Sequence, residues 1–286
     1  MIYEKFGKWY AKNYRKLMVI PALLFISAVF ILASNYRKYS SPFPKDIDLS
    51  GGTVVTVYVS QANPEVRKML EDRGFSVREI RKYGSSELVA LIVEAGPEFS
   101  EEEVVDIVNS TFPSAKFDVR HVGPSMGASF MKSAQKAVAI GFILMGLILA
   151  AIFKVPIVAL TVILSSFLNV FEAAAYMTLF GIKLAPHTIG ALLMLMGWSV
   201  DSEVLFDTKI LKRREGDPKE RALNAMKTAM TMSAAVFASL LALYLFSTAK
   251  LVKDIAMILI LGALFDLINT WFQSLSMVLW YVEGSR

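Results

Sequence analysis

The sequence predicts an α-helical membrane protein with six transmembrane helices, and an external α+β domain of ferredoxin-like (βαββαβ) order between the first and second helices. Three observations predict it. The 286 residues are 55% hydrophobic and only 19% charged, with a mean hydropathy of +0.50. Uncharged runs such as 17–34 and 137–153 are close to the ~20 residues that cross a hydrocarbon core of about 30 Å. Between the first two such runs lies a polar stretch, 35–133, in which strand patterns of period two alternate with capped helix patterns.

Residues 1–34 comprise a basic start (Lys5, Lys8, Lys12, Arg15, Lys16) and an apolar run from Leu17 to Ala33. The run is longer than a signal-peptide h-region and no small-residue cleavage site follows, so it is expected to stay as the first span. In the external domain, "TVVTVYVS" reads as a strand. "NPEVRKMLEDRG" reads as a helix capped by Asn63, with Pro64 at its first position and Gly74 as terminator. "FSVREIRKY" and "SELVALIVE" read as strands joined by a turn at Gly84-Ser85-Ser86. "SEEEVVDIVNSTF" reads as a helix with Ser100 and Glu103 in a capping box, and "AKFDVRHVG" as the last strand. Residues 134–286 then form a five-helix bundle with spans near 134–153, 156–180, 187–208, 229–249 and 254–282. The basic loop at about 209–228 starts a helix at Asp217-Pro218. The heavier basic loops belong in the cytoplasm, which places both termini there and 35–133 outside the cell membrane.

Composition also excludes. Without cysteine there is no disulfide framework, thiol chemistry or Cys-ligated metal. His121 and His187 are too few and too far apart in sequence for a metal site. No Walker loop, Gly-x-Ser-x-Gly element or metal-ligand cluster is present, so neither an enzyme nor a cofactor nor a metal is expected. The net charge of +5 sits mostly beside the spans, which points to anionic lipid at the basic loop and not to nucleic acid.

The unusual feature is a set of acids and amides inside apolar runs. "GWSVDSEVLFD" carries Asp201, Glu203 and Asp207; the third span carries Asn169 and Glu172; the last carries Asp266 and Asn269. With the fourth span ending near Lys209, Asp207 lies about 3 Å inside, Glu203 about 9 Å and Asp201 about 12 Å. Gly190, Met194, Gly197 and Asp201 share one helix face. Small residues allow close helix approach, so this face is expected to pack into the bundle and bring Asp201 to Glu172 and Asp266. Such a cluster suits proton relay or gating; the alternative is polar glue between helices. Glu203 and Asp207 share another face and are expected to snorkel toward the basic loop or pair with Lys209 and Lys212, with Glu203 kept as a further ion-coupling candidate. His187, near the external end of the fourth span, is expected to be an interfacial residue.

Three elements carry a resemblance. "DLSGGT" (Asp48 to Thr53, with Gly51, Gly52) resembles the acidic-apolar-x-Gly-Gly-Thr signature of the SecD/SecF protein-export family. "VGPSMG", with Gly123 and Pro124, is similar to that family's Val-Gly-Pro element. "LAPHTIGALLMLMGWSVDSEVLFD" looks like its fourth-span block. The resemblance covers nearly the whole chain and falls on the SecF side, in an archaeal-like branch of the resistance–nodulation–division superfamily. It implies a SecD partner in a six-plus-six assembly, association with the Sec translocon, and assistance to an exported polypeptide. The proton gradient is the drive implied for bacterial relatives. Asp201 falls where the SecD half carries its functional intramembrane aspartate. Glu172 falls near a His-Asp pair, but as Phe171-Glu172. The arginine expected at the start of the fifth span is absent, Lys227 being only a loose substitute. Gly51-Gly52 and Gly123-Pro124 mark the attachment of the external domain. Two alternatives stay open: a non-transducing scaffold for SecD and the translocon, and a small-molecule or lipid exporter of the same superfamily.

Overall fold

The computed structural model describes residues 2–59, 63–82, 87–212 and 218–284. The chain divides into two compact units. One comprises Met1–Pro44, Ala137–Lys183 and His187–Arg286; the other comprises Lys45–Lys136 and Leu184–Pro186.

The basic start is helical: α1 (Ile2–Leu17) runs to within one residue of α2 (Val19–Tyr39). Its count of lysines hides an apolar stripe, for Tyr10, Tyr14 and Leu17 are buried at the i, i+4, i+7 spacing of one helix face. The Tyr10 hydroxyl donates to the carbonyl of Trp271 at 2.6 Å, and Tyr14 donates to Glu283.

In the second unit a short helix, α3 (Ile47–Ser50), leads into β1 (Gly52–Tyr58). There follow α4 (Pro64–Asp72), β2 (Ser76–Arg81), β3 (Leu88–Ala95), α5 (Glu101–Thr111) and β4 (Lys116–Val122). The strands pair in the order β2-β3-β1-β4, each pair antiparallel. Local chemistry sets the helix starts. Asn63 Oδ1 accepts from the Glu65 amide at 3.0 Å. The Ser100–Glu103 box closes in both directions, and the Ser100 amide holds the Glu103 carboxylate below its usual range. One face of the sheet carries Val55, Val57, Leu91 and Val93, which pack on Leu70, Val104 and Val108 of the two helices. Strand alternation makes this possible, because every second side chain reaches the same core. The turn expected at Gly84-Ser85-Ser86 lies outside the described residues.

The remaining helices are α6 (Pro124–Phe153), α7 (Pro156–Met177), α8 (Pro186–Asp207), α9 (Pro218–Phe246), α10 (Lys250–Asn269) and α11 (Leu275–Gly284). Four of them begin at proline, which has no amide to leave unbonded in a first turn. α9 begins at Pro218; Asp217 lies outside the described residues. Five stretches are long and apolar enough to cross a membrane: Lys12–Tyr39, Pro124–Phe153, Pro156–Phe180, Pro186–Leu211 and Glu220–Phe246. The sixth expected span, 254–282, corresponds to α10, a π-helical turn at Thr270–Ser274 and α11. It is not among those five.

Candidate functional site: a file of buried acids

α7, α8 and the α10–π turn each turn one polar face toward the others. On α7 the face carries Ser165, Ser166, Asn169 and Glu172; on α8 it carries Ser199, Glu203 and Asp207. Asp266, Asn269, Thr270 and Ser274 complete it. Every one of these residues is buried. The spacing explains the grouping, since steps of three and four keep side chains on one side of a helix. A π turn, common at functional sites, spans Thr270–Ser274 where the third face continues.

Hydrogen bonds tie the three faces into a file. At one end the Asn269 amide donates to Glu172 Oε2 at 2.9 Å and to Asn169 Oδ1 at 2.7 Å. The Asn169 amide in turn donates to Asp266 Oδ1 at 2.8 Å and to Ser199 Oγ at 2.7 Å. The Thr270 hydroxyl lies 3.4 Å from Asp266 Oδ1 and 3.5 Å from Glu203 Oε1. These are long contacts, and one hydroxyl proton can serve only one of them at a time. Ser274 donates to Glu203 Oε2 at 2.9 Å. Ser165, Asp207 and Asp266 border Glu203 as well.

No cationic side chain among the described residues pairs with these acids. Among the described residues the influences on Glu172, Glu203, Asp207 and Asp266 are burial, hydroxyls, amides and one another. A carboxylate buried in a membrane protein is costly unless it is paired, hydrated or protonated. Glu172 Oε1 and Asp207 Oδ2 are also buried without a hydrogen-bonding partner. Asn169 and Asn269 hold acid oxygens through their amide protons and so position the acids without themselves titrating.

The geometry corrects two expectations. Asp201 does not join the cluster: it is exposed, on the face of α8 that carries Gly190, Met194 and Gly197. Met194 is 60% exposed, and a methyl group added at Gly190 or Gly197 would meet nothing within 4 Å. Small residues mark a face that can be approached closely; they do not say by what. The opposite face won the interior because Ser199 finds Asn169 on α7 and Glu203 finds Thr270 and Ser274 on the π turn. Glu203 and Asp207 therefore do not snorkel. Glu203 is fully buried, Asp207 is 2% exposed, and Lys209 instead donates to Thr228 at 2.8 Å.

The other expected pair does assemble, as Glu172 and Asp266 are bridged by Asn169 and Asn269. Phe171 turns away from the file and stacks between Phe167 (5.7 Å between ring centres) and Phe25 (5.2 Å). His187 lies 3.8 Å from Asp254, outside the file. Sequence reasoning missed the hydroxyls of Ser199, Thr270 and Ser274. Their signal was present, as 199/203/207 and 266/270/274 are strict i, i+4 ladders.

The attachment motif is a place of backbone crowding. Gly51 (φ +82°) and Gly52 (φ +137°) adopt conformations open mainly to glycine. A Cβ at Gly52 would lie 2.2 Å from the Ala95 carbonyl oxygen, and one at Gly51 within 2.9 Å of Pro124. Thr53 is buried with its hydroxyl 3.0 Å from His121 Nδ1. Asp48 pairs with Arg120 at 3.0 Å, while Gly123 and Pro124 lead from β4 into α6.

Comparison with known proteins agrees with this layout. Residues 103–284 match the family model for the C-terminal part of the protein-export membrane proteins SecD and SecF. The protein-export membrane protein SecF of Pyrococcus furiosus is 32% identical over 286 residues, covering 99% of this chain and 96% of its own length. That of Methanothermobacter thermautotrophicus is 33% identical, covering 95% and 94%. The crystal structure of SecDF, a translocon-associated membrane protein from Thermus thermophilus, superposes with a TM-score of 0.74 at 22% identity. The match covers 96% of this chain but only 38% of that longer one, and is a likeness of fold. With a family model over most of its length and relatives matched almost throughout, the chain belongs to the SecD/SecF family of protein-export membrane proteins, on the SecF side.

Proposed function

We propose that this chain is an auxiliary subunit of the Sec translocase, working with a SecD partner to promote passage of exported polypeptides across the cell membrane. The whole-length likeness to proteins named SecF carries the reading. The α10–π–α11 run is its sixth span, supported by the burial of that run against α7 and α8. The sheet unit is an external ferredoxin-like domain, supported by its βαββαβ order and β2-β3-β1-β4 pairing. Both termini and the basic loop at 209–228 lie in the cytoplasm, the loop against anionic lipid.

Within this reading the chain has two polar surfaces with different tasks. Glu172, Asp266 and Glu203, with Asp207 beyond, take up and release a cation inside the bundle, and Asn169 and Asn269 position them. Asp201 instead faces outward beside Gly190 and Gly197. A lone carboxylate facing hydrocarbon is unfavourable by at least a few kcal/mol, so this stripe needs a covering helix, and SecD supplies it.

The test is secretory-precursor accumulation in cells depleted of the protein and rescued with variants. Wild type is expected to restore export. Glu203→Gln is expected to fail at normal membrane levels with SecD association intact, whereas Asp201→Leu is expected to lower SecD association itself. A scaffold role has one observation in its favour: Asn169 and Asn269 cross-link three helices as glue would. If Glu203→Gln rescues fully, the scaffold reading replaces coupling. Absence of any export defect on depletion overturns the export reading.

A further inference from the structure

The second unit contains a cleft of about 470 Å³ that neither the acid file nor the proposed partnership uses. One wall is a single face of α6 over its first three turns, from Pro124 through Ala128 and Met131 to Gln135; the other is Leu49 and Ser50 of α3. Its closed end is fixed by Gly127, where a Cβ would lie 2.3 Å from the Leu49 carbonyl oxygen, so the two backbones touch. Lys45 and Lys132 supply its charge, and among the described residues no Asp or Glu lines it. The acid nearest in sequence on α3, Asp48, is already paired with Arg120.

We propose that this cleft binds the headgroup of an acidic phospholipid. Two ammonium groups without a lining carboxylate select an anion. A free inorganic anion would gain nothing from Leu49, Ala128 and Met131, whereas the glycerol and upper acyl chain of a lipid would. The position agrees, since α6 carries no charge from Ala137 to Phe153. Gln135 therefore sits within half a turn of the point where the helix enters hydrocarbon, the depth at which a phosphate lies. The cleft belongs to the Pro124 end of α6, whereas Leu211, at the start of the basic loop, packs on the cluster of Leu149 and Phe153 at the other end, so the cleft is a second lipid contact distinct from that loop. The inference rests on α6 as a span and not on the export reading.

Lysine footprinting of the full chain in lipid nanodiscs tests it, with Lys136 as internal control at the same depth but outside the cleft lining. Acetylation of Lys45 and Lys132, normalised to Lys136, is expected to fall roughly threefold when phosphatidylglycerol replaces about a third of the phosphatidylcholine. Ala128→Trp, which fills the cleft and keeps both charges, is expected to restore labelling to the phosphatidylcholine level. Lys45→Gln, a surface change with little influence on folding, is expected to weaken protection at Lys132. Equal protection of Lys136 would reduce the effect to general surface charge and overturn the proposal. So would protection by inorganic phosphate in phosphatidylcholine discs, or full protection persisting in both variants.

Discussion

Asn169 is the residue on which most of the acid file depends, because its one side chain meets α8 and α10 together. Replacing it with leucine removes contacts to Ser199, Asp266 and Asn269. Interhelical hydrogen bonds in membranes average about 0.6 kcal/mol each, so the loss is expected to be about 2 kcal/mol. A thermal-stability assay on the detergent-solubilised chain checks it; an unchanged melting temperature would mean the three contacts do not hold the bundle. Glu103 gives a prediction in pH. Its folded pKa is depressed, first by the Ser100 amide and then by the Ser100 hydroxyl, so the stability it adds is present above the unfolded value of about 4.3. That stability is lost as pH falls through the folded value. Hydrogen exchange of the α5 amides, corrected for intrinsic rates, is expected to quicken on acidification below about pH 4 in wild type, and to respond less in Glu103→Gln. Local chemistry of this kind was legible in the sequence: caps at Asn63 and Ser100 are read by spacing alone, because the partners lie two or three residues away. The side on which Asp201 lies was not. Periodicity says which residues share a face, but the choice of inward face depends on partners a hundred residues distant, such as Asp266 for Asn169.

Among the elements, α1 is the one that lysine counting concealed. Five basic residues dominate its composition, while three buried positions decide where it goes. The Tyr10 hydroxyl meets both the Trp271 carbonyl and Ser276, the latter at 3.2 Å, so α1 is fastened to the π turn and the start of α11. Tyr10→Phe removes the hydrogen bond to Trp271 and is expected to cost about 1 kcal/mol, seen as a lower melting temperature with a more protease-sensitive amino-terminus. If protease sensitivity is unchanged, packing of Tyr14 and Leu17 alone holds the helix. The π turn at Thr270–Ser274 was equally hidden, for no Gly or Pro marks it in the sequence and no side-chain cap holds its start. The strands were plain, since Val55, Val57, Leu91 and Val93 alternate as a one-sided sheet requires.

For the molecule as a whole, the joint between sheet and span fixes what can move. The backbones of α3 and α6 touch at Gly127, and Gly51 presses on Pro124. Even one added carbon at either glycine would push the sheet side and the first turns of α6 apart. A load on the sheet is thus carried by α6 from its first residue, through backbone contact and not through side chains.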